Sequence, residues 1–278
     1  MTDILVTGGT GKTGRRIVAK LAALGHAGRA AARNPPPGGV RFDWNDPDTF
    51  DPAVHGIGAV YLVAPPGDQD PLAAMEPFLQ RALAAGVRRY VLLSSSFLPE
   101  GAPLMGQVHA FLRSAAPDWT VLRPTWFMQN FSEQQHLPTI RDESAIYTAT
   151  GDGRVAFVHA NDIADVAMAA LLGEAAGNRD YVLTGPRALS YDEVAALIAA
   201  AADRPVVHRR LTEKQMAGWL SESAGVPLPF AAALAAMDTA IAGGAENRVS
   251  PDVQTVTGRL PISFEAFAAE NRTIWASS

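Results

Sequence analysis

The sequence predicts an α/β fold: a doubly wound parallel sheet with helices on both faces, and a smaller, mostly helical C-terminal portion. Three observations predict it. Short apolar runs alternate with amphipathic helical patterns through the first half of the chain. The first run, Ile4-Leu5-Val6, enters a glycine turn from which a helical segment leaves. After Arg123-Pro124 the alternation gives way to an aromatic stretch and then to helices.

The elements follow in order. Asp3–Thr7 is an aliphatic strand closed by glycine. Arg29–Ala32 and Val40–Asp43 are strands on either side of Pro35-Pro36-Pro37-Gly38-Gly39, a break suited to a surface loop. Gly58–Val63 ends in Ala64-Pro65-Pro66-Gly67, Arg89–Ser94 in a serine triplet, and Thr120–Leu122 in Arg-Pro. Helices are expected at Lys12–Leu24, in a short turn after Asp46, at Leu72–Ala85 and at Leu104–Ser114. Further on, Phe157–Asp162 leads into a helix reaching Leu172, and Tyr181–Thr184 reads as another strand. Helical patterns then cover Tyr191–Ala202, Glu213–Ser223, Pro229–Ala242 and Phe264–Trp275.

The glycines at 8, 11 and 14 give the turn its chemistry. In a Rossmann dinucleotide site each has a mechanical task. Gly8 allows the tight turn, Gly11 lets backbone N–H groups approach a diphosphate, and Gly14 lets the helix pack closely. Thr10, Gly11, Lys12, Thr13 and Gly14 then present main-chain donors and a partly positive helix N-terminus to the phosphates. Gly11-Lys12-Thr13 also looks like the end of a P-loop, but that motif needs glycine where this chain has Val6. The expected organisation is a dinucleotide-binding Rossmann domain at 1–124, completed by segments around 155–184. Residues 125–154 and 185–278 form a substrate-binding portion.

The second strand selects the coenzyme. Ala30-Ala31-Ala32-Arg33-Asn34 has no carboxylate for a ribose 2′-OH, and Arg33 suits a 2′-phosphate. NADP(H) is therefore expected in preference to NAD(H), with Lys12 adding a second positive charge; a solvated loop cation is the bland reading of Arg33. Asp43 and Trp44, closing the third strand, are placed to read the adenine edge, or else form a polar turn in which Asp46 caps a helix. Ala64, Pro65 and Pro66 provide a rigid wall for a nicotinamide riboside, and Ser94 brings a hydroxyl near it. His109, on the helix after the fifth strand, is the candidate proton donor there, against the commoner role of a satisfied helix residue. Asn161 and Asp162 read as a helix cap without chemistry.

The bulk composition excludes other classes. The 278 residues carry a net charge of −5 and no cysteine. Disulfides and thiolate chemistry are thereby absent, no metal site is expected, and the lack of a basic stripe argues against nucleic acid. No segment reads as an export signal or a membrane span, so a cytoplasmic protein acting on a small molecule is expected. Oligomeric state has no signal in the sequence.

Thr7-Gly8-x-x-Gly11-x-x-Gly14, Arg33, the run Leu122-Arg123-Pro124-Thr125-Trp126-Phe127-Met128-Gln129-Asn130-Phe131 and Phe157-Val158-His159-x-x-Asp162-Ile163-Ala164 together resemble the NmrA-like atypical short-chain dehydrogenase/reductases. The resemblance extends over nearly the whole chain. Within that group it is strongest to the agroclavine synthase type of ergot alkaloid pathways and its bacterial relatives, then to NADPH quinone reductases and azoreductases. It implies hydride transfer from NADPH. Ordinary short-chain dehydrogenases use a Tyr-x-x-x-Lys pair on the helix after the fifth strand, yet no tyrosine or lysine occurs between Phe97 and Arg123. Acceptors that are already electrophilic, such as quinones, azo groups and iminium ions, need no such pair. Phe97, Thr125, Trp126 and Phe127 are the expected substrate wall. The group also contains regulators that bind the coenzyme without turnover, so a redox sensor is the alternative.

Overall fold

The structure, a computed structural model, describes residues 3–133, 135–175, 177–223 and 225–276. In the first half the strands are β1 (Asp3–Thr7), β2 (Gly28–Ala32), β3 (Val40–Arg41), β4 (Ile57–Leu62), β5 (Arg89–Leu93) and β6 (Asp118–Pro124). The helices between them are α1 (Gly14–Ala23), α2 (Phe50–Val54), α3 (Pro71–Ala84) and α4 (Met105–Ala115). Next come α5 (Leu137–Glu143), β7 (Ala145–Thr148), β8 (Arg154–Val155), α6 (Ala160–Leu172) and β9 (Arg179–Leu183). The last third holds β10 (Leu189–Ser190), α7 (Tyr191–Ala202), β11 (Val207–Arg210), α8 (Glu213–Glu222) and α9 (Leu228–Ala242). It ends with α10 (Asp252–Thr257) and α11 (Phe264–Asn271).

Two compact units divide the chain. The first comprises Met1–Pro124, Ala160–Leu183 and Asp252–Arg259. Its seven-stranded sheet has the order β3-β2-β1-β4-β5-β6-β9, parallel throughout. The order reverses between β1 and β4, and such a switch point opens a crevice beyond the carboxyl ends of the two strands. Alternate residues Leu5, Val60, Leu62, Leu92 and Val121 pack with Phe50, Met75, Phe78 and Val108 of α2, α3 and α4. On the opposite face Tyr61 reaches Thr13 at the start of α1, and Lys20 ties α1 to Asp165 of α6. A sheet covered on both faces needs apolar residues at successive positions, which is why its strands read as continuous runs.

The second unit comprises Thr125–His159, Thr184–Pro251 and Leu260–Ser278. Two small sheets, antiparallel β8–β10 and parallel β7–β11, accompany α5, α7, α8, α9 and α11. Its core is aromatic: Phe131, Phe157, Tyr191 and Phe264 meet at centroid distances of 5.3–6.0 Å, mostly edge to face. The Trp275 indole N–H donates to the Phe131 carbonyl at 2.7 Å. Capping boxes, Ser190 with Glu193 and Thr212 with Gln215, start α7 and α8.

Several bounds differ from expectation. α1 begins at Gly14 rather than Lys12 because the glycine turn occupies the preceding residues. The third strand stops at Arg41, since Asp43 already belongs to a turn in which its carboxylate accepts from the Asn45 N–H at 3.0 Å. The strands β7, β8, β10 and β11 and the helices α5 and α10 were not expected. Strands of two to four residues are too short to show alternation.

Candidate functional site

Thr7 closes β1 with its side chain buried. Its hydroxyl donates to the Tyr61 carbonyl at 3.1 Å and accepts from the Val63 N–H at 2.8 Å. One threonine thus locks together the strand ends at the switch point. Gly8 turns the chain with a φ of +60°, a conformation that costs glycine nothing. The Gly11 N–H closes the turn on the Gly8 carbonyl at 2.8 Å. A Cβ on Gly14 would lie 2.2 Å from that same carbonyl, so α1 rests directly on the turn. Gly9, which carries no signal in the glycine spacing, packs as tightly on the neighbouring strand, where a Cβ would stand 2.8 Å from Ala30.

Helical bonding begins inside the turn, from Arg15 N–H to the Gly11 carbonyl at 3.1 Å. No side chain caps α1. The N–H groups of Thr13 and Gly14 have no acceptor among the described residues. An uncapped helix start carries unsatisfied donors and a partial positive charge, which is an anion site. The Thr13 hydroxyl itself accepts from Tyr61 at 3.0 Å. Lys12 is half-buried.

The remaining sequence candidates of the first unit are distributed around the strand ends. Arg33, just past β2, is exposed and makes no hydrogen bond or ion pair among the described residues. Asp43 forms the turn just described, and the Asp46 carboxylate accepts from the Asp48 N–H as a helix cap. The Trp44 ring packs into the core, 4.7 Å from Phe42 and 5.5 Å from Phe78. Ala64 and Pro65 are half-buried and Pro66 exposed, with Gly67 completing the turn at a φ of +74°. Ser94 has its N–H held by the Leu122 carbonyl at 2.8 Å, while its buried hydroxyl lacks a partner among the described residues. Phe97 follows, half-buried, its N–H on the Ser95 hydroxyl.

His109 is the proton donor proposed from the sequence. It is 2 % exposed and lies 5.3 Å from the ring of Trp119, a residue near the beginning of β6, whereas ligands gather at the other end of the strands. Neither ring nitrogen has a partner among the described residues. Burial lowers its pKa from the ordinary histidine value, so the ring is neutral. At the start of α6, which begins at Ala160, the Asn161 side chain accepts from Arg16 Nε at 3.0 Å, a contact the sequence reading of a cap at Asn161 and Asp162 did not foresee.

In the second unit Thr125 is buried, its hydroxyl donating to the Ala156 carbonyl at 2.6 Å. Trp126 is half-buried with its indole N–H enclosed and without a partner among the described residues. Phe127, also half-buried, bridges Val158. Phe131 is fully buried core.

A family described as NAD(P)H-binding matches residues 8–174, which runs from the first glycine of the turn to just beyond α6. This chain belongs to that family. An uncharacterized oxidoreductase of Bacillus subtilis, YesF, is 41 % identical over 278 residues, with 99 % of this chain and 96 % of that protein covered. The agroclavine dehydrogenase of Claviceps fusiformis is 39 % identical, with 98 % of each chain covered. Among solved structures, the NADPH-dependent quinone oxidoreductase QOR2 of Escherichia coli, complexed with NADPH, shares the fold. Its TM-score is 0.82 at 22 % identity, over 96 % of this chain and 99 % of that one. These relatives are named as oxidoreductases and a dehydrogenase, and the glycine turn is the feature through which the family match enters the chain.

Proposed function

We propose that this chain is an NADP(H)-dependent reductase that transfers hydride to a small electrophilic acceptor: a quinone, an azo group or an iminium ion. One observation carries the reading: a helix start at the switch point with open Thr13 and Gly14 amides and no side-chain cap. A diphosphate fits that cradle, whose shape depends on α1 resting on the turn at Gly14, where a Cβ would meet the Gly8 carbonyl. Thr10, Gly11, Lys12, Thr13 and Gly14 hold the diphosphate, and Gly8 shapes the bend. The unpartnered Arg33 guanidinium clamps the 2′-phosphate with a charged, two-pronged hydrogen bond. Asp43 and the Trp44 backbone border the adenine. Ala64, Pro65, Pro66 and the Ser94 hydroxyl border the nicotinamide end. In this reading 1–124, with the segments around 155–184, serve the coenzyme, and 125–154 and 185–278 serve the substrate.

Bound NADPH supplies a hydride; positioning is what the protein adds. The chain has no tyrosine or lysine between Phe97 and Arg123, and His109 is buried and neutral. No side chain there stands ready to protonate an alkoxide, so ketones and alcohols are poor substrates. An acceptor with its own electron-poor centre takes hydride unaided and draws any proton from solvent. Phe97, Trp126 and Phe127 supply flat apolar surface for such a molecule, with Thr125 holding the backbone ahead of the two aromatics that follow it; an aromatic face also attracts an iminium cation.

The test is NADPH oxidation, followed at the nicotinamide absorbance, against quinones, azo dyes and cyclic iminium ions. Turnover of at least one class, with none for simple ketones, is the expected result. Tight NADPH binding without turnover of any class identifies a coenzyme sensor instead.

A further inference from the structure

The Arg16 guanidinium spans two elements that lie far apart in the sequence. Its Nη1 donates to the Lys12 carbonyl, inside the glycine turn, at 2.6 Å. Its Nε donates to Asn161 Oδ1, in the first turn of α6, at 3.0 Å. We infer that Asn161 and Arg16 form a clamp that sets the diphosphate-binding amides, making both positioning residues for the coenzyme. The inference rests on the coenzyme reading above and adds two residues to it.

The geometry works through the planarity of one peptide. In a trans peptide the carbonyl of one residue and the N–H of the next point in opposite directions. Holding the Lys12 carbonyl toward the body of α1 therefore turns the Thr13 N–H outward, beyond the helix start, where the anion sits. Releasing the guanidinium from that carbonyl frees the turn to rock about the φ and ψ of its glycines, which resist rotation least. Asn161 fixes the guanidinium plane, because Nε and Nη1 bond to two separate acceptors and leave few rotamers open. The docking of α1 on α6 does not depend on this bridge, since Lys20 and Asp165 join the same helices at 2.7 Å. Loss of the clamp should disturb the turn while the helices stay packed.

Four variants, with a fifth in reserve, and two probes test this. In Arg16→Met and in Asn161→Leu the Kd for NADPH should rise about tenfold, the worth of one well-placed charged hydrogen bond. The double variant should be no weaker than either single one, because both remove the same device. Asn161→Asp keeps an acceptor oxygen and should bind NADPH as the parent does. Adenosine 2′-monophosphate has no diphosphate, and its Kd should stay within twofold of the parent in every variant. Melting temperatures check the fold, and Arg16→Lys, whose single ammonium cannot reproduce the two-atom bridge, substitutes for Arg16→Met if that chain unfolds. NADPH binding within twofold of the parent in the single variants overturns the clamp, as does equal loss for adenosine 2′-monophosphate, which would make Arg16 a direct ligand of the 2′-phosphate. Failure of the parent itself to bind NADPH would sink the coenzyme reading instead, before any variant is compared.

Discussion

Arg33 stands in solvent at the end of β2 with no partner among the described residues, so its removal disturbs nothing in the fold. That makes it a clean probe of coenzyme choice. Arg33→Ala should raise KM for NADPH about tenfold or more and leave KM for NADH within twofold, since only the former has a 2′-phosphate to lose. Parallel effects on both coenzymes would remove the assignment. His109 gives the opposite kind of test. An imidazole with both nitrogens buried and unpartnered stabilises nothing by hydrogen bonding, and a neutral apolar side chain of similar size avoids that cost. His109→Leu should keep kcat and leave the protein equally stable, or about 1 kcal/mol more stable, by urea unfolding. A general acid would instead lose about 10²–10⁴ in rate.

At the scale of elements, legibility followed the length of the pattern. β1, the glycine turn and α7 were readable because their signals are strong and local: an aliphatic run into glycines, and an unbroken helical pattern over Tyr191–Ala202. β11 and β7 were not, since four-residue strands leave too few positions to count. The position of His109 was invisible for a different reason. A helix face is readable from period 3.6, but which wall of the sheet it meets depends on long-range packing. The Asn161 contact with Arg16 was not legible, because only the fold brings Arg16 to it across 145 residues. The turn itself can be tested with a pair of glycines. Alanine in a helix is ordinarily better than glycine by about 1 kcal/mol. Gly218, in α8, has open space where a Cβ would stand, so Gly218→Ala should raise the melting temperature. Gly14→Ala makes the same chemical change, but its Cβ falls 2.2 Å from the Gly8 carbonyl and must push α1 off the turn. Its Kd for NADPH, by nicotinamide fluorescence, should rise by about two orders of magnitude. Equal behaviour of the two variants would mean that the close approach of helix and turn has no role in binding.

For the molecule as a whole, stability and activity draw on separate groups, and pH separates them. Asp238, in α9, is buried and accepts from the Ala149 N–H at 2.9 Å. Burial pushes its carboxyl up from 3.8 to about 6, because one amide hydrogen bond does not replace the water lost by the charge. The sign of the effect follows from proton counting. Between about pH 4 and 6 the folded chain holds a proton on Asp238 that the unfolded chain has released, so folding stability from this group falls as pH rises through that window. Above about pH 6 both forms are ionised and the loss is constant, roughly 2–3 kcal/mol. Asp238→Asn keeps an oxygen for the Ala149 N–H and cannot ionise. Its stability should match that of the parent at about pH 4 and exceed it by about 2 kcal/mol at about pH 7.5, measured as urea midpoints at constant m. NADPH binding should not change, because the residues proposed to hold the coenzyme lie in the first unit and Asp238 in the second. A stability difference that is the same at both pH values would show that Asp238 is not protonated in the fold, and that its carboxylate is paired by more than the one amide.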